Sequence, residues 1–267
     1  MIDICLNLAS EQFKTDRDLI LKRGLENGCT GFILTGTSES SSLLVQKITK
    51  NNLEYTRSTA GVHPHEAKNW NTAKNTIRRL VHENEVIAVG ECGLDYDRMY
   101  STKEDQIKAF KEQLDLSLET GKPAFLHIRG HQGDEIEVMK DFSEIYKPYY
   151  HKGVKGVVHC FTGSHTMLKQ LLEFDLYIGI TGWVCDNKRG KDLQEAISLI
   201  PDNRIMIETD APYLTPKNMP KKIFTRRNEP AYLGYVRSKV AELKGISEEK
   251  LELITNNNVE NLFKWLP

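Results

Sequence analysis

The stretch Val86-Ile87-Ala88-Val89-Gly90, followed at once by Glu91-Cys92-Gly93-Leu94-Asp95, shows the pattern that decides the fold of this 267-residue chain. A short apolar run, rich in Val and Ile, ends in polar side chains, and a longer segment with helical spacing follows. The same pattern recurs along the whole chain. The other runs are residues 2–8, 31–35, 55–61, 124–128, 156–159, 176–180 and 204–207.

The eight runs alternate with helix-like segments such as residues 104–120 and 191–200. Strands that are apolar on both faces belong in parallel sheets covered by helices. Eight such units in about 250 residues predict an α/β fold, a closed (β/α)8 barrel, as a single domain over residues 1–267. A doubly wound open sheet is the alternative, but no GxGxxG fingerprint follows the first run.

Composition excludes several classes of protein. The chain is 39% hydrophobic, carries 36 Lys and Arg against 37 Asp and Glu, and has no apolar stretch that could span a bilayer and no signal peptide pattern. We therefore expect a cytoplasmic protein, without disorder or membrane contact. Its five cysteines are scattered and form no CxxC pair, which disfavours disulfides and zinc ribbons. The net charge of −1 means that any phosphate-bearing partner must meet a local basic patch.

Polar residues end most of the apolar runs, and in a barrel the strand ends form the active site. Imidazoles and carboxylates gathered at one barrel mouth would suit a divalent cation. The alternative is that the five converging residues are structural and share no ligand. His65 could have either role, and His82, His131, His151 and His165 are predicted to be structural. The converging residues are His63, Glu91, His127, His159 and Asp210.

A second feature is residues 211–230, a proline-rich stretch too broken for a helix or a strand. It carries a basic patch, which suits phosphate groups, although a solvated charged loop is the alternative. Phe161, Trp183 and Tyr213 are candidates for stacking on unpaired bases or for core packing. The basic residues are Lys217, Lys221, Lys222, Arg226 and Arg227.

Together these motifs resemble the TatD family of metal-dependent deoxyribonucleases, from Ile2 to Phe263. The resemblance implies a TIM barrel and a Mg²⁺-dependent nuclease that removes nucleotides from DNA ends. Glu91, His127, His159 and Asp210 would be metal ligands, and His63 would face the scissile phosphate or a water. The matching motifs are Gly61-Val62-His63-Pro64, Gly90-Glu91-Cys92-Gly93-Leu94-Asp95, His127-Ile128-Arg129, His159-Cys160-Phe161-Thr162-Gly163, Tyr177-Ile178-Gly179-Ile180-Thr181-Gly182, Glu208-Thr209-Asp210-Ala211-Pro212-Tyr213-Leu214 and Arg227-Asn228-Glu229-Pro230.

One departure from the family concerns the first strand. Many members begin with Asp-x-His-x-His, whereas this chain reads Asp3-Ile4-Cys5-Leu6-Asn7. The branch that includes the namesake of the family has the same feature. One metal position has thus lost its pair of imidazoles, and it must rely on Asn7, His63, water or substrate oxygens.

The resulting hypothesis is a 3′–5′ exonuclease that prefers single-stranded DNA and also accepts RNA, with a role in DNA repair or turnover. Asp210, His63 and Glu91 are the catalytic candidates, with Asp210 as proton acceptor. Mg²⁺ is the expected ion, although imidazoles bind Mn²⁺ or Zn²⁺ more tightly. We expect a monomer. The residues expected to bind substrate are Arg129, Arg226, Arg227, Asn7 and His65.

Two other functions stay open. A zinc amidohydrolase or lactonase, acting on a small cyclic amide or ester, would use the same ligand types. Two features are evidence against this alternative. No Lys that could be carboxylated to bridge two metals ends a buried run, and the basic loop has no obvious use with a neutral substrate. A metal-binding scaffold without catalysis is the third hypothesis.

Overall fold

A computed structural model of the chain describes residues 1–131, 135–221 and 225–267. Each predicted apolar run forms a strand in these ranges. The strands are β1 Ile2–Leu6, β2 Gly31–Leu34, β3 Thr56–Ala60, β4 Val86–Asp95, β5 Ala124–Arg129, β6 Gly156–Val158, β7 Tyr177–Ile180 and β8 Ile205–Ile207.

Helices connect the strands, and several begin with a side-chain cap. Ser38, Thr102 and Ser247 each accept a hydrogen bond from a backbone N–H in the first turn of the helix that follows. The α-helices are α1 Arg17–Glu26, α2 Glu39–Lys50, α3 Trp70–Val81, α4 Lys103–Thr120, α5 Ile136–His151, α6 His165–Glu173, α7 Lys191–Ala196, α8 Leu233–Lys244 and α9 Glu248–Phe263.

The strands form one parallel sheet in the order β1 to β8. The segment after β8 returns to the first strand. The backbone N–H of Asp210 donates to the carbonyl of Cys5 at 3.0 Å, and that of Asn7 donates to the carbonyl of Ala211 at 2.9 Å. The sheet is therefore a nearly closed barrel, which confirms the predicted fold and rules out the open doubly wound sheet.

Side chains from most strands fill the barrel interior. One buried cluster joins Ile4, Ile33, Phe125 and Met206 from four different strands. Residues after α9, including Trp265, belong to the same cluster, so the end of the chain covers the N-terminal end of the barrel. The opposite end, where the strands finish, is left for polar side chains.

Two element boundaries differ from the predictions by more than two residues. Strand β4 continues past Gly90 to Asp95, because its distal half pairs with β5 through Gly93 and His127. Gly93 makes this possible with φ +142°, and a Cβ there would collide with the carbonyl oxygen of His127. The predicted helix over residues 191–200 ends earlier, at Ala196, and a 3-10 turn, Ile197–Leu199, follows.

The proline-rich stretch is irregular, as predicted, over the part that the structure describes. Residues 212–221 and 225–229 form turns and bends without a helix or a strand. Lys222, one member of the predicted basic patch, lies outside the described residues. Among the described helices, none combines the length and the apolar character needed to cross a bilayer.

Candidate metal centre and active site

The carboxylate of Glu91 lies at the centre of the polar residues that end the strands. Its Oε1 is 2.7 Å from His159 Nε2, 3.1 Å from His63 Nε2 and 3.1 Å from His127 Nδ1. Burial alone would raise the pKa of Glu91, but the surrounding imidazoles, His159 first, hold that pKa well below its usual range. Glu91 is therefore an anion in a nearly dry pocket, held by ring nitrogens that are metal ligands in many proteins.

His127 lies between two carboxylates. Its Nδ1 faces Glu91, and its Nε2 is 3.2 Å from Asp95 Oδ2. Metal-binding histidines usually donate the N–H of the distal nitrogen to a carboxylate, which fixes the tautomer and leaves the other nitrogen for the metal. Asp95 supplies that partner, because its pKa is held far below the usual range by hydrogen bonds from His127, His65 and Arg129 that outweigh burial.

His63 has a different protonation pattern. It precedes the 3-10 helix Pro64–Asn69, and its Nδ1 accepts a hydrogen bond from the backbone N–H of His65 at 3.1 Å. Burial lowers the pKa of His63 to about 4, so the ring is neutral near pH 7. A neutral ring whose Nδ1 accepts must carry its proton on Nε2. His63 thus donates a hydrogen bond into the site instead of offering a lone pair to a metal.

His159 and Glu208 leave polar atoms without partners. His159 Nδ1 and Glu208 Oε2 are buried and form no hydrogen bond with the described residues, and His159 Nδ1 is 3.7 Å from Glu208 Oε1. Burial raises the pKa of Glu208 to about 8. Burial lowers the pKa of His159, but the adjacent Glu91 carboxylate raises it to about 10. Unpaired buried polar atoms are costly, which favours a ligand at this position.

Asp210 completes the site from the segment after β8. Its Oδ1 accepts a hydrogen bond from Asn7 Nδ2 at 2.8 Å and lies 3.6 Å from Cys5 Sγ. Burial raises the pKa of the Asp210 carboxyl, and the nearby charge of Glu91 adds to this effect. The residue before it, Thr209, donates its Oγ1 hydrogen to Asp3 Oδ2 at 2.5 Å, which anchors the segment to β1.

These donors fit a divalent cation. Ligand atoms of His63, Glu91 and His127 lie within 4.8 Å of one another, as do those of Cys5, His159 and Asp210. The geometry thus splits the four predicted ligands between two groups that meet at Glu91 and His159. The tautomer argument makes His63 a hydrogen-bond donor, and the other residues of the two groups supply two imidazoles, two carboxylates and the thiol of Cys5.

Three of the residues predicted to bind substrate lie at this site, held by its carboxylates. Arg129 donates to Asp95 Oδ2 from Nε at 3.0 Å and from Nη2 at 2.5 Å, and His65 Nε2 lies 2.7 Å from the same oxygen. Asn7 donates to Asp210. Their side chains are positioned by these bonds before any substrate arrives.

The basic residues of the proline-rich stretch are not held by the carboxylates of the metal centre. Arg227 donates to Asp16 Oδ1 at 3.0 Å, to Asp16 Oδ2 at 2.8 Å and to Glu229 Oε1 at 2.9 Å, so the structure does not bring it to the metal centre. Arg226 is exposed and has no ion-pair partner among the described residues. Lys217 and Lys221 are also exposed. This leaves Arg226 better placed than Arg227 to meet a phosphate.

The three aromatic candidates separate by exposure. Phe161 is 2% exposed and packs in the core, whereas Tyr213 is 52% exposed. Trp183 is half-buried beneath the guanidinium of Arg189, 4.5 Å from its ring centre. Tyr213 therefore offers the most accessible ring.

Sequence reasoning did not assign Asp95, Glu208 or Cys5 to the site. Asp95 and Glu208 were visible as polar residues at the ends of apolar runs, and that signal was sufficient to include them. The signal for Cys5 was different: it stands where many members of the family have a histidine, although a buried cysteine in a strand is ordinarily a small apolar residue. Of the other four histidines, those at positions 82, 131 and 151 are exposed and His165 is partly buried, and none belongs to the two groups that could hold a metal ion.

Comparison with known proteins finds relatives that match nearly the whole chain. The family model "TatD related DNase" matches residues 2–264. A protein of Pantoea ananatis named 3′-5′ ssDNA/RNA exonuclease TatD is 42% identical over 264 residues, which cover 98% of this chain and 99% of the relative. A protein of the same name from Enterobacter lignolyticus is 43% identical over 268 residues, covering 98% of each.

A solved structure supports the fold as well. The hydrolase TatD family protein of Entamoeba histolytica superposes with a TM-score of 0.84 at 25% identity, covering 98% of this chain and 97% of that one. Because the family model spans nearly the whole chain and the identities exceed 40% at full coverage, this chain belongs to the family of TatD-related DNases.

Proposed function

We propose that this chain is a metal-dependent 3′–5′ exonuclease that hydrolyses phosphodiester bonds of single-stranded DNA and of RNA. The observation that carries the proposal is the Glu91 carboxylate surrounded by His63, His127 and His159 at the barrel mouth. Relatives at 42% and 43% identity that bear the name of such an exonuclease support it. Family membership favours this function over the zinc amidohydrolase or lactonase.

We propose Mg²⁺ as the ion, held by Glu91, His127, His159 and Asp210. When bound, the cation orients a water for attack on phosphorus and neutralises charge on the phosphoryl oxygens. The pairing of His127 with Asp95 supports this ligand set, since it leaves Nδ1 of His127 facing Glu91. Mn²⁺ and Zn²⁺ are alternatives, because imidazoles bind them more tightly.

The residues of the chain divide the remaining tasks. Asp210 accepts the proton of the attacking water at Oδ2, while Asn7 holds its Oδ1. His63 donates its Nε2 hydrogen to a phosphoryl oxygen, since its ring is neutral and its Nδ1 is already an acceptor. The P–O3′ bond breaks, the O3′ of the shortened strand takes a proton from solvent water, and the terminal nucleotide leaves with a 5′-phosphate. Glu91 stays ionised throughout.

Substrate is held by cations and an aromatic ring around this centre. Arg129, fixed by Asp95, keeps N–H groups for a phosphate beside its two bonds to that carboxylate. His65 flanks it on the same carboxylate. Arg226 would contact the strand further along, and the exposed ring of Tyr213 would stack on a base. The contact of Arg227 with substrate stays a prediction. Its bonds to Asp16 and Glu229 give it a structural role in addition.

The test is digestion of 5′-labelled and 3′-labelled oligonucleotides with Mg²⁺, with Mn²⁺ and with EDTA. We expect stepwise shortening of the 5′-labelled strand and immediate release of a labelled nucleotide from the 3′-labelled one, both abolished by EDTA and by Glu91→Gln. Glu54→Gln, at an exposed glutamate on the surface, is the matched control and should digest normally. Failure of the metal-loaded wild type to shorten either strand would contradict the proposal.

Three further expectations stay predictions. They are a single domain over residues 1–267, a monomer and a cytoplasmic location. The reduced state of the five cysteines fits that location, since each is a free thiol in the structure. Sedimentation of the purified protein tests the monomer directly.

A further inference from the structure

A cleft of about 570 Å³ opens at the N-terminal end of the barrel, opposite to the candidate metal centre. Its walls come from the start of β4, the loops that precede β5 and β6, and the segment after α9. Barrel enzymes place their chemistry at the other end, so residues here are expected to serve stability. The charges in this cleft do not fit that expectation.

Five cationic side chains line the cleft, and no Asp or Glu does. Among the described residues none of the five forms an ion pair with a carboxylate, so their charges are not neutralised within the cleft. Glu83 and Glu85, whose charges act on Lys122, both form ion pairs with Lys50. The cations are Arg57, Lys122, Lys152, Lys155 and Lys264.

Two of these cations are held in place by the backbone. Lys122 Nζ donates to the carbonyls of Val81 and Glu83 at 2.6 and 2.7 Å, and burial lowers the pKa of its ammonium group. Arg57 Nη1 donates to the carbonyl of Leu53 at 2.6 Å. Lys155 and Lys264 are exposed at the rim. The positive charge is therefore organised in advance, with two free ammonium groups at the entrance.

The cleft also has an apolar floor. Trp265 is 6% exposed, and the guanidinium of Arg57 lies 5.2 Å from the centre of its ring. Leu118, at 37% exposure, and Pro123 lie beside it. Apolar lining residues next to clustered cations fit a ligand that joins a base to a phosphate, and the volume matches that of small-molecule sites.

We propose that this cleft binds a mononucleotide, with its phosphate between Lys155 and Lys264 and its base against the apolar floor. The site is remote from the candidate active site and goes beyond the proposed function. It stands whether or not the chain is a nuclease. The ligand class follows from the clustered cations and the adjoining apolar lining together.

The test is calorimetric titration of the metal-free protein, in EDTA, with dAMP. We expect one saturable site whose Kd rises about tenfold or more in Lys155→Glu/Lys264→Glu, because two charge-assisted contacts are replaced by repulsion. Lys47→Glu, on the exposed side of α2, is the matched control and should keep the wild-type Kd. The double variant should keep the wild-type melting temperature and rate of oligonucleotide hydrolysis.

Several outcomes would overturn the proposal. One is the absence of saturable binding, and another is a Kd that the double variant leaves unchanged. Loss of dAMP binding in Glu91→Gln would place the nucleotide at the candidate active site instead. Inorganic phosphate that binds as tightly as dAMP would remove the role of the apolar floor.

Discussion

Asp95 Oδ2 lies 3.2 Å from His127 Nε2, on the side of the imidazole opposite to Glu91. Both residues come from adjacent paired strands, β4 and β5, where Asp95 is in register with Arg129, two residues beyond His127. Asp95 therefore fixes the orientation and the tautomer of His127, although Asp95 is not one of the residues that surround Glu91.

This relationship predicts the effect of Asp95→Asn. We expect the affinity for the divalent cation to fall about 10- to 100-fold, because His127 loses the carboxylate that orients it and raises its basicity. Titration calorimetry with Mn²⁺ measures the change. Glu112→Gln on the outside of the barrel is the control, and an unchanged cation affinity in Asp95→Asn would contradict the role.

His63→Ala separates a hydrogen-bond donor from a metal ligand. Because Nδ1 of His63 accepts from the His65 backbone, we expect hydrolysis to slow by about 100-fold while cation affinity stays within about threefold of wild type. His127→Ala is the comparison and should lose cation binding. A loss of cation affinity in His63→Ala as large as that in His127→Ala would show that His63 is a ligand.

Gly93→Ala should destabilise the fold. Gly93 has φ +142°, and an added Cβ would strike the carbonyl oxygen of His127 in the neighbouring strand. We expect a loss of at least about 2 kcal/mol in the free energy of unfolding, measured in urea. Gly234→Ala, in α8 with open space around the new methyl group, should instead stabilise by up to about 1 kcal/mol.

The two arginines of the loop should behave differently. Arg227→Ala removes bonds to Asp16 and Glu229 and should lower the free energy of unfolding by about 1 to 3 kcal/mol. Arg226→Ala should change stability by less than about 0.5 kcal/mol but weaken binding of single-stranded DNA and reduce its salt dependence. Equal effects of both substitutions on DNA binding at unchanged stability would contradict this division.

The Asp16–Arg227 pair also predicts a pH dependence. Hydrogen bonds from Arg227 lower the pKa of Asp16 below its ordinary value of 3.8. A lowered folded-state pKa stabilises the fold above that ordinary value, and the contribution disappears as the pH falls through the folded-state pKa. The stability difference between wild type and Arg227→Ala should therefore shrink when urea unfolding is repeated at about pH 3 instead of about pH 7. Persistence of the full difference at the lower pH would contradict the pair.

Much of the fold could be predicted from local patterns. The runs that begin at Val86 and Ala124 are short and mainly apolar, and burial of both faces of a strand follows from that composition. The length of β4 could not be predicted in this way, because the segment from Glu91 to Asp95 begins and ends with a carboxylate and is interrupted by Gly93. Those residues stay extended through pairing with β5, a contact between segments some 30 residues apart.

Much of the candidate site could also be predicted from the sequence. Polar residues that end buried strands must converge at the barrel mouth, so His63, Glu91, His127 and Asp210 could be grouped without coordinates. Their individual roles could not be separated, because a sequence does not show which ring nitrogen faces which carboxylate. The roles of Asp95 and Glu208 depend on such orientations.

The sequence by itself determined the barrel, the family and the ring of polar residues at one end, since apolar periodicity and strand-end chemistry are local properties of the chain. Only the tertiary structure decided that Arg227 is bound by Asp16, 211 positions away, and that Asp210 is held by Asn7, 203 positions away. It also placed unpaired cations such as Lys155 and Lys264 in one cleft. These relationships arise from the closure of the barrel, which brings the two ends of the chain together.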